Sequence, residues 1–302
     1  MYELAILARG GVLLTVWALA AGWPPGRLSA RLRRDGWQRI CRGAWAVPGK
    51  ETDWRVRETA LQLLRPRYVC HHGTAARLHR IEVLTGAGPV RGLGPSAGAG
   101  SRASLPPGDV CLRRGLRVTT AARTAADLIR ASGSREEAVV TADSALSRRV
   151  VEGVRRDPPV RYEELAAQLS VRRPGAPRAR AWLRLTDPAA GSPAETVARL
   201  RMADASLFPE SQPPLRTPAG RPLHPDFLFR AAGLAVEVEG YAYHGTPRAH
   251  ERDIAHFNAL QSCPEVHRVL RFTAREVLTR PDRMTATVRT ALEELGAATR
   301  AT

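Results

Sequence analysis

Along the first fifty residues the apolar positions fall into short helical runs and then alternate. Residues 2–7 and 14–21 predict two helices separated by Gly10 and Gly11. Residues 25–35 predict a third, with Leu28 and Leu32 on one face and Arg27, Arg31 and Arg34 on another, at i, i+4 and i+7. Pro25 suits the first turn of that helix, where a missing N–H costs nothing, and Gly36 ends it. Residues 37–47 read as two short strands around Arg42 and Gly43. Helical periodicity returns at 54–64, 74–78, 121–131, 136–146 and 162–169, while 68–72 and 116–119 read as strands. On a strand, the adjacent His71 and His72 point to opposite faces. Arg123 and Asp127, four apart, read as a helix pair. Residues 86–109 are rich in Gly, Pro, Ser and Ala and predict a flexible loop. Residues 187–193 (DPAAGSP) read as a linker.

Beyond the linker the pattern changes. Ser192 is positioned to cap a helix, with Glu195 three residues later as the second member of a capping box. Residues 223–229 (LHPDFLF) and 234–240 (LAVEVEG) are strand-like, separated by Arg230 to Gly233. If that four-residue loop closes a hairpin, Phe229 faces Leu234, Asp226 faces Glu237 and His224 faces Glu239. Side chains alternate across a strand, so those four polar residues share one face. Phe227, Phe229, Val236 and Val238 share the other, the core face. Carboxylates directly opposed on a ladder repel. A bound Mg²⁺ or Mn²⁺ gives the arrangement a reason, because hard cations take oxygen ligands. The plainer alternative is a solvated acidic face. Glu195 and His244, just after the second strand, add to the cluster and favour the metal reading. Residues 248–261 and 281–295 predict helices and 266–272 a further strand; Tyr241 and Tyr243 read as packing residues.

Charge adds a partner. The 302 residues carry a formal net charge of +17. Residues 1–186 hold 32 basic and 15 acidic side chains, whereas 187–302 hold 14 of each, so the whole excess lies in the first part. A field of this sign attracts polyanions, nucleic acid first among them. Helix, turn, basic helix and hairpin is the order of a winged helix-turn-helix. Arg27, Arg31 and Arg34 would enter the major groove, with Arg39 and Arg42 on the wing touching the neighbouring backbone. Cys41, Cys70, Cys111 and Cys263 are scattered without a CxxC pair, which argues against a zinc ribbon and a disulfide framework and fits a reducing cytoplasm. The apolar stretch 11–23 is too short to span a membrane, which needs roughly 20 apolar residues, and its flanks do not suit a signal peptide.

Two resemblances extend this reading. Arg9-Gly10-Gly11, the helix 25–35, Ala46-Val47-Pro48-Gly49, His72 to Ala76, and Val118 to Thr124 with Asp127 resemble the AbiE-type abortive-infection antitoxins. That resemblance covers about half the chain and implies a DNA-binding, repressor-like unit, with a toxin as a possible partner. Glu195, Pro225-Asp226, Glu237 to Gly240, Tyr243-His244, Arg252-Asp253 and Val269 to Phe272 follow in an order that resembles a bacterial nuclease-like domain family. That family is related to very-short-patch repair endonucleases and has the PD-(D/E)xK restriction-endonuclease-like fold. The resemblance implies a mixed sheet flanked by helices, with metal on Asp226 and Glu237. Glu195 would be an outer ligand and His244 a proton donor or phosphate contact. Two features depart from the pattern: Glu239 stands where the motif has lysine, and also where the family commonly has aspartate. Lys50 is the only lysine in the chain.

The sequence therefore predicts a multi-domain protein of mixed α/β and α+β class. Residues 1–50 form a winged helix-turn-helix, 51–186 an antitoxin-like α/β and helical region, and 194–298 the nuclease-like domain. The expected function is DNA binding with Mg²⁺-dependent phosphodiester hydrolysis by Glu195, Asp226, Glu237, Glu239 and His244. The alternative is a non-catalytic antitoxin-like regulator, and RNA stands as a third substrate reading.

Overall fold

The computed structural model describes residues 4–85, 88–89, 105–239 and 247–301. It has a mixed α and β architecture with several small sheets. The residues fall into two compact units, 1–79 with 92–124, and 80–91 with 125–302. Neither the expected division at residue 50 nor that at 187–193 coincides with this boundary. Among the described residues no helix is long and apolar enough to cross a membrane.

The first unit opens with turns at residues 4–7, closed by Leu7 N–H to Leu4 O and Ala8 N–H to Ala5 O, instead of the expected helix. It continues with β1 (Val12–Leu14), α1 (Thr15–Ala20), α2 (Pro25–Arg34), β2 (Gln38–Cys41), β3 (Ala44–Ala46), α3 (Trp54–Leu64) and α4 (His72–His79). β3 lies between β1 and β2, both antiparallel to it. All three residues of β1 are apolar because both faces of this sheet are covered. Leu13 and Trp45 pack with Ala18, Leu28, Leu32 and Trp37 on one side. Val12, Leu14, Ala44 and Ala46 pack with Val56 and Ala60 of α3 on the other.

The expected strand at 68–72 is reduced to one parallel bridge, Cys70 to Val118, because α4 begins at His72. His71 and His72 accordingly do not point apart: their Nδ1 atoms lie 2.6 Å from each other. The chain next forms the short antiparallel pair β4 (Leu84–Thr85) and β5 (Gly88–Pro89), which belongs to the second unit. The loop expected at 86–109 otherwise lies outside the described residues as far as 104. Its end is ordered, as a 3-10 turn at Pro107–Asp109. Asp109 there accepts from Arg123 Nη1 at 2.6 Å, which ties the end of this segment to α5. β6 (Val110–Arg113) and β7 (Leu116–Thr119) form a hairpin, and α5 (Ala121–Ala131) leads into the second unit.

That unit is built around α6 (Arg135–Leu146), which is buried continuously from Ala138 to Leu146. The hairpin of β8 (Arg149–Val151) and β9 (Val154–Arg156) follows, then α7 (Tyr162–Ser170), α8 (Ala176–Leu183) and α9 (Pro193–Asp204). Residues 187–192 are packed and do not form a free linker. Ala190 is buried, its carbonyl accepts from Arg149 Nη2 at 2.7 Å, and Asp187 N–H donates to Asp143 Oδ1 at 2.7 Å.

The remaining chain makes β10 (Glu210–Ser211), β11 (Leu215–Arg216), β12 (Pro222–Leu223), β13 (Phe227–Phe229), β14 (Leu234–Glu239), α10 (Pro247–Gln261), β15 (Arg268–Thr273), α11 (Ala274–Thr279) and α12 (Pro281–Ala301). Four strands form one mixed sheet in the order β10-β13-β14-β15, antiparallel except for the β14–β15 pair. Phe227, Val236 and Val238 pack against Val197 and Met202 of α9 and Val288 of α12. Leu228 and Ala235 on the opposite face are buried too, against Leu260 of α10 and the β11–β12 hairpin. The face expected to carry Asp226 and Glu237 is therefore also partly covered by apolar packing. Its carboxylates sit at the edge of a core.

Candidate active site

The β13–β14 register is Phe227 to Val236, Leu228 to Ala235 and Phe229 to Leu234, as the alternation predicts. One step further, Asp226 N–H donates to Glu237 Oε1 at 3.1 Å, and Val238 N–H donates to Asp226 Oδ2 at 2.7 Å. Backbone donors thus hold two opposed carboxylates side by side at the end of the ladder. His224 does not continue it. Pro225 supplies no N–H, the run breaks at 224–226, and β12 pairs with β11. His224 is exposed, its Nδ1 lying 3.2 Å from the Gln212 carbonyl, and it has no place opposite Glu239.

Glu195 arrives from the first turn of α9. Ser192 caps that helix by accepting from Glu195 N–H at 3.2 Å. The carboxylate turns back to accept from Gly191 N–H at 2.7 Å, one residue before the position a full capping box would use. Gln212 joins the cluster. Its Nε2 donates to Glu195 Oε2 at 3.1 Å and to Asp226 Oδ1 at 2.8 Å. On the far side His256 of α10 places Nε2 3.2 Å from Glu237 Oε2. Glu195, Gln212, Asp226, Glu237 and His256 thus form one connected chain drawn from α9, the segment after β10, the start of β13, β14 and α10.

Glu239 is turned elsewhere. Arg271 Nη2 lies 2.7 Å from its Oε1 and 2.8 Å from Asp253 Oδ2. His244, Tyr241 and Tyr243 lie outside the described residues. In the first unit Arg27, Arg31, Arg34, Arg39 and Arg42 are all exposed, while Leu28 and Leu32 of α2 are buried. Arg31 and Arg34 both reach Asp35, which tethers them along the helix.

The electrostatics of the cluster are unfavourable as they stand. Burial pushes the Asp226 carboxyl well above the ordinary carboxylate range, and the charges of Glu195 and Glu237 push it further, against the Val238 N–H and Gln212. Burial raises Glu195 as well, offset by the Gly191 N–H, Ser192, Gln212 and the charge of Arg149. The hydrogen bond to Glu237 raises His256. Arg149 itself is committed to Glu82 Oε2 at 2.8 Å and to the Ala190 carbonyl. Among the described residues the carboxylates outnumber the cations that face them. That imbalance, with oxygen donors from three chain segments, suits a hard divalent cation. Among the described residues no three His, Cys, Asp or Glu side chains are already gathered as a ligand group; the oxygens are turned onto Gln212 and backbone N–H groups.

Gln212 and His256 gave no sequence signal, since each reaches the site only through tertiary packing. Asp143 is a third such residue. It is fully buried in α6 and accepts from Thr196 Oγ1 at 2.8 Å and Arg199 Nη2 at 3.1 Å as well as from Asp187 N–H. It thereby straps the segment before α9, and hence Glu195, to the centre of the unit. Replacing Asp143 by alanine is expected to destabilise the protein by about 3 kcal/mol, since it orphans these donors, roughly 6–12 °C in melting temperature. Burial raises the Asp143 pKa to about 6 from an ordinary 3.8. Its contribution to stability is therefore greatest below pH 3.8 and is lost as the pH rises through about 6. A melting curve against pH that is steeper over this range for wild type than for Asp143→Asn would show it.

Comparison with known protein families, curated proteins and solved structures gives no match to this chain.

Proposed function

We propose that the chain is a DNA-binding endonuclease that depends on a divalent metal. The observation that carries this reading is the carboxylate group of buried Glu195 and half-buried Asp226 and Glu237, linked through Gln212 and the Asp226 N–H at the end of a mixed sheet, with too few cations facing it among the described residues. Asp226 and Glu237 would hold a Mg²⁺ or Mn²⁺ ion, with Glu195 behind them. When bound, such an ion polarises a phosphate oxygen and lowers the pKa of a water. Gln212 holds the Glu195 and Asp226 carboxylates in fixed orientation, and backbone N–H groups hold Asp226 and Glu237. His256 keeps a proton at Nε2 against Glu237 more readily than a free histidine does. Arg271, already beside Glu239, supplies positive charge where the family motif has lysine, although a guanidinium does not act as a base at neutral pH.

In this reading the first unit grips the duplex. β1, β2 and β3 with α1 and α2 make the winged helix-turn-helix, and the exposed Arg27, Arg31 and Arg34 meet phosphates and base edges in the major groove, with Arg39 and Arg42 alongside. Replacing Arg27, Arg31 and Arg34 by glutamine is expected to reduce the salt slope of duplex binding by about 0.9 for each phosphate that is no longer neutralised. An unchanged slope would remove α2 from the interface.

Calorimetric titration with Mn²⁺ tests the site. Wild type should bind the ion and Asp226→Asn should bind it far more weakly; equal binding by both would place the metal elsewhere. One observation favours a second reading, a non-catalytic regulator of the antitoxin kind with a toxin partner. Glu239 occupies the position of the motif lysine and is neutralised by Arg271. The regulator predicts duplex binding without cleavage.

A further inference from the structure

The second unit has a positively charged surface of its own. Residues 171–186 contain Arg172, Arg173, Arg178, Arg180 and Arg184 and no carboxylate. Many arginines of this unit meet acids: Arg130 meets Asp127, Arg135 meets Asp204, Arg149 meets Glu82, and Arg230 meets Glu210. Around α8 the pattern thins: Arg173, in the turn before it, lies 3.9 Å from Asp127 Oδ1, and the other four arginines meet no carboxylate among the described residues. Arg172 and Arg184 are exposed and have no ion pair or hydrogen bond among the described residues. Arg178 and Arg180 are exposed and each donates to a backbone carbonyl, Ser132 at 2.8 Å and Leu169 at 3.3 Å, without a carboxylate.

The helix geometry arranges these charges. Ala176, Ala179 and Leu183 are buried, which fixes the inward face of α8. At 100° per residue, Arg180 and Arg184 then lie along one flank and Arg178 and Trp182 along the other, with the exposed Pro177 and Ala181 between them. These exposed residues, bracketed by Arg180 and Arg184 on one side and Arg178 on the other, leave room for a phosphate backbone to approach the helix closely. The Arg178 guanidinium is stacked 4.6 Å from the centre of the Trp182 ring, which holds it in place. α8 is also rigidly seated. Gly175, before its first turn, has φ +80°, and a Cβ there would lie 2.7 Å from the Arg130 carbonyl oxygen. Beyond α8, Leu185 O accepts from Arg199 of α9 at 2.9 Å and Asp187 is tied to Asp143, so the helix is strapped to the element that carries Glu195.

We infer that α8 and the turn before it form a second duplex-binding surface, through which the unit bearing the carboxylates holds the DNA phosphate backbone independently of α2. The inference rests on the DNA-binding reading above, and the test separates the two. The full chain is titrated with a random-sequence duplex over a range of salt concentrations, as wild type, as Arg172→Gln/Arg184→Gln, and as Arg27→Gln/Arg31→Gln/Arg34→Gln. The two α8-side arginines have no polar partner among the described residues, so their replacement should leave the melting temperature unchanged. The expected result is a slope of log affinity against log salt that falls by about 2 in the α8 variant, at about 0.9 per neutralised phosphate. The α2 variant should keep a residual salt-dependent affinity. Failure of wild type to bind duplex DNA would remove the underlying reading and this inference with it. Binding by wild type with an unchanged slope in the α8 variant would overturn the inference alone. So would complete loss of salt-dependent binding in the α2 variant.

Discussion

Replacing Asp226 by asparagine is expected to reduce metal-dependent strand cleavage by roughly 10³-fold or more. The substitution keeps the volume of the side chain and one acceptor oxygen, and removes the charge. Loss of a metal-holding carboxylate removes several kcal/mol of charge stabilisation in the transition state, and about 4 kcal/mol corresponds to roughly 10³ in rate. Asp226 is the critical member because it lies between the other two acids, reaching Glu195 through Gln212 and Glu237 through its own N–H. Duplex affinity should be largely retained, since Asp226 belongs neither to α2 nor to α8. A supercoiled-DNA cleavage assay beside a binding titration checks both halves. Equal cleavage rates for wild type and variant would remove Asp226 from the chemistry.

The second large effect is on stability. Asp226 and Glu195 both have pKa values raised above their ordinary ones by burial, and Asp226 is raised further by its acidic neighbours. A carboxyl raised on folding contributes stability at low pH and loses that contribution as the pH rises through its folded value. The metal-free protein should therefore lose stability as the pH rises from the ordinary aspartate value of 3.8 toward neutrality. A divalent cation reverses the loss by pairing with the ionised cluster. At a concentration of about 100 times its dissociation constant, a ligand specific for the folded state adds about 2.7 kcal/mol. The Mg²⁺- or Mn²⁺-dependent rise in melting temperature should be largest at neutral pH, shrink as the pH falls, and vanish in Asp226→Asn. An increment independent of pH, or retained in the variant, would show that the cation stabilises the protein elsewhere.

Local patterns were legible where one element sets its own geometry. The alternation of Phe227 to Phe229 against Leu234 to Val236, with a four-residue connection, specified the register that aligns Asp226 with Glu237. The spacing of Leu28 and Leu32 specified which face of α2 is buried. Pattern misleads where distant segments compete for a residue. Alternation alone extends the ladder to His224, but Pro225 interrupts it and β12 pairs with β11. Helical spacing gives no hint that Arg123 also reaches Asp109, which comes from a segment that reads as flexible. Gln212, His256 and Asp143 were not legible at all. A glutamine in a Ser-Gln-Pro turn, a histidine in a polar helix and an aspartate within an apolar one look ordinary in sequence, and only long-range packing brings the first two to the carboxylates and the third to α9. Charge gave a further lesson. Counted along the chain, the positive excess stops at residue 186. In the fold, residues 125–186 belong with the carboxylates, so part of that excess shares their unit.

Cleavage of supercoiled plasmid by the wild-type chain, with Mg²⁺ or Mn²⁺ and again with a chelator, tests the central claim most directly. The account predicts nicked and linear products that require the metal. A folded protein that binds both duplex DNA and Mn²⁺, yet leaves plasmid and duplexes of varied sequence intact, would contradict it and establish the regulator reading in its place.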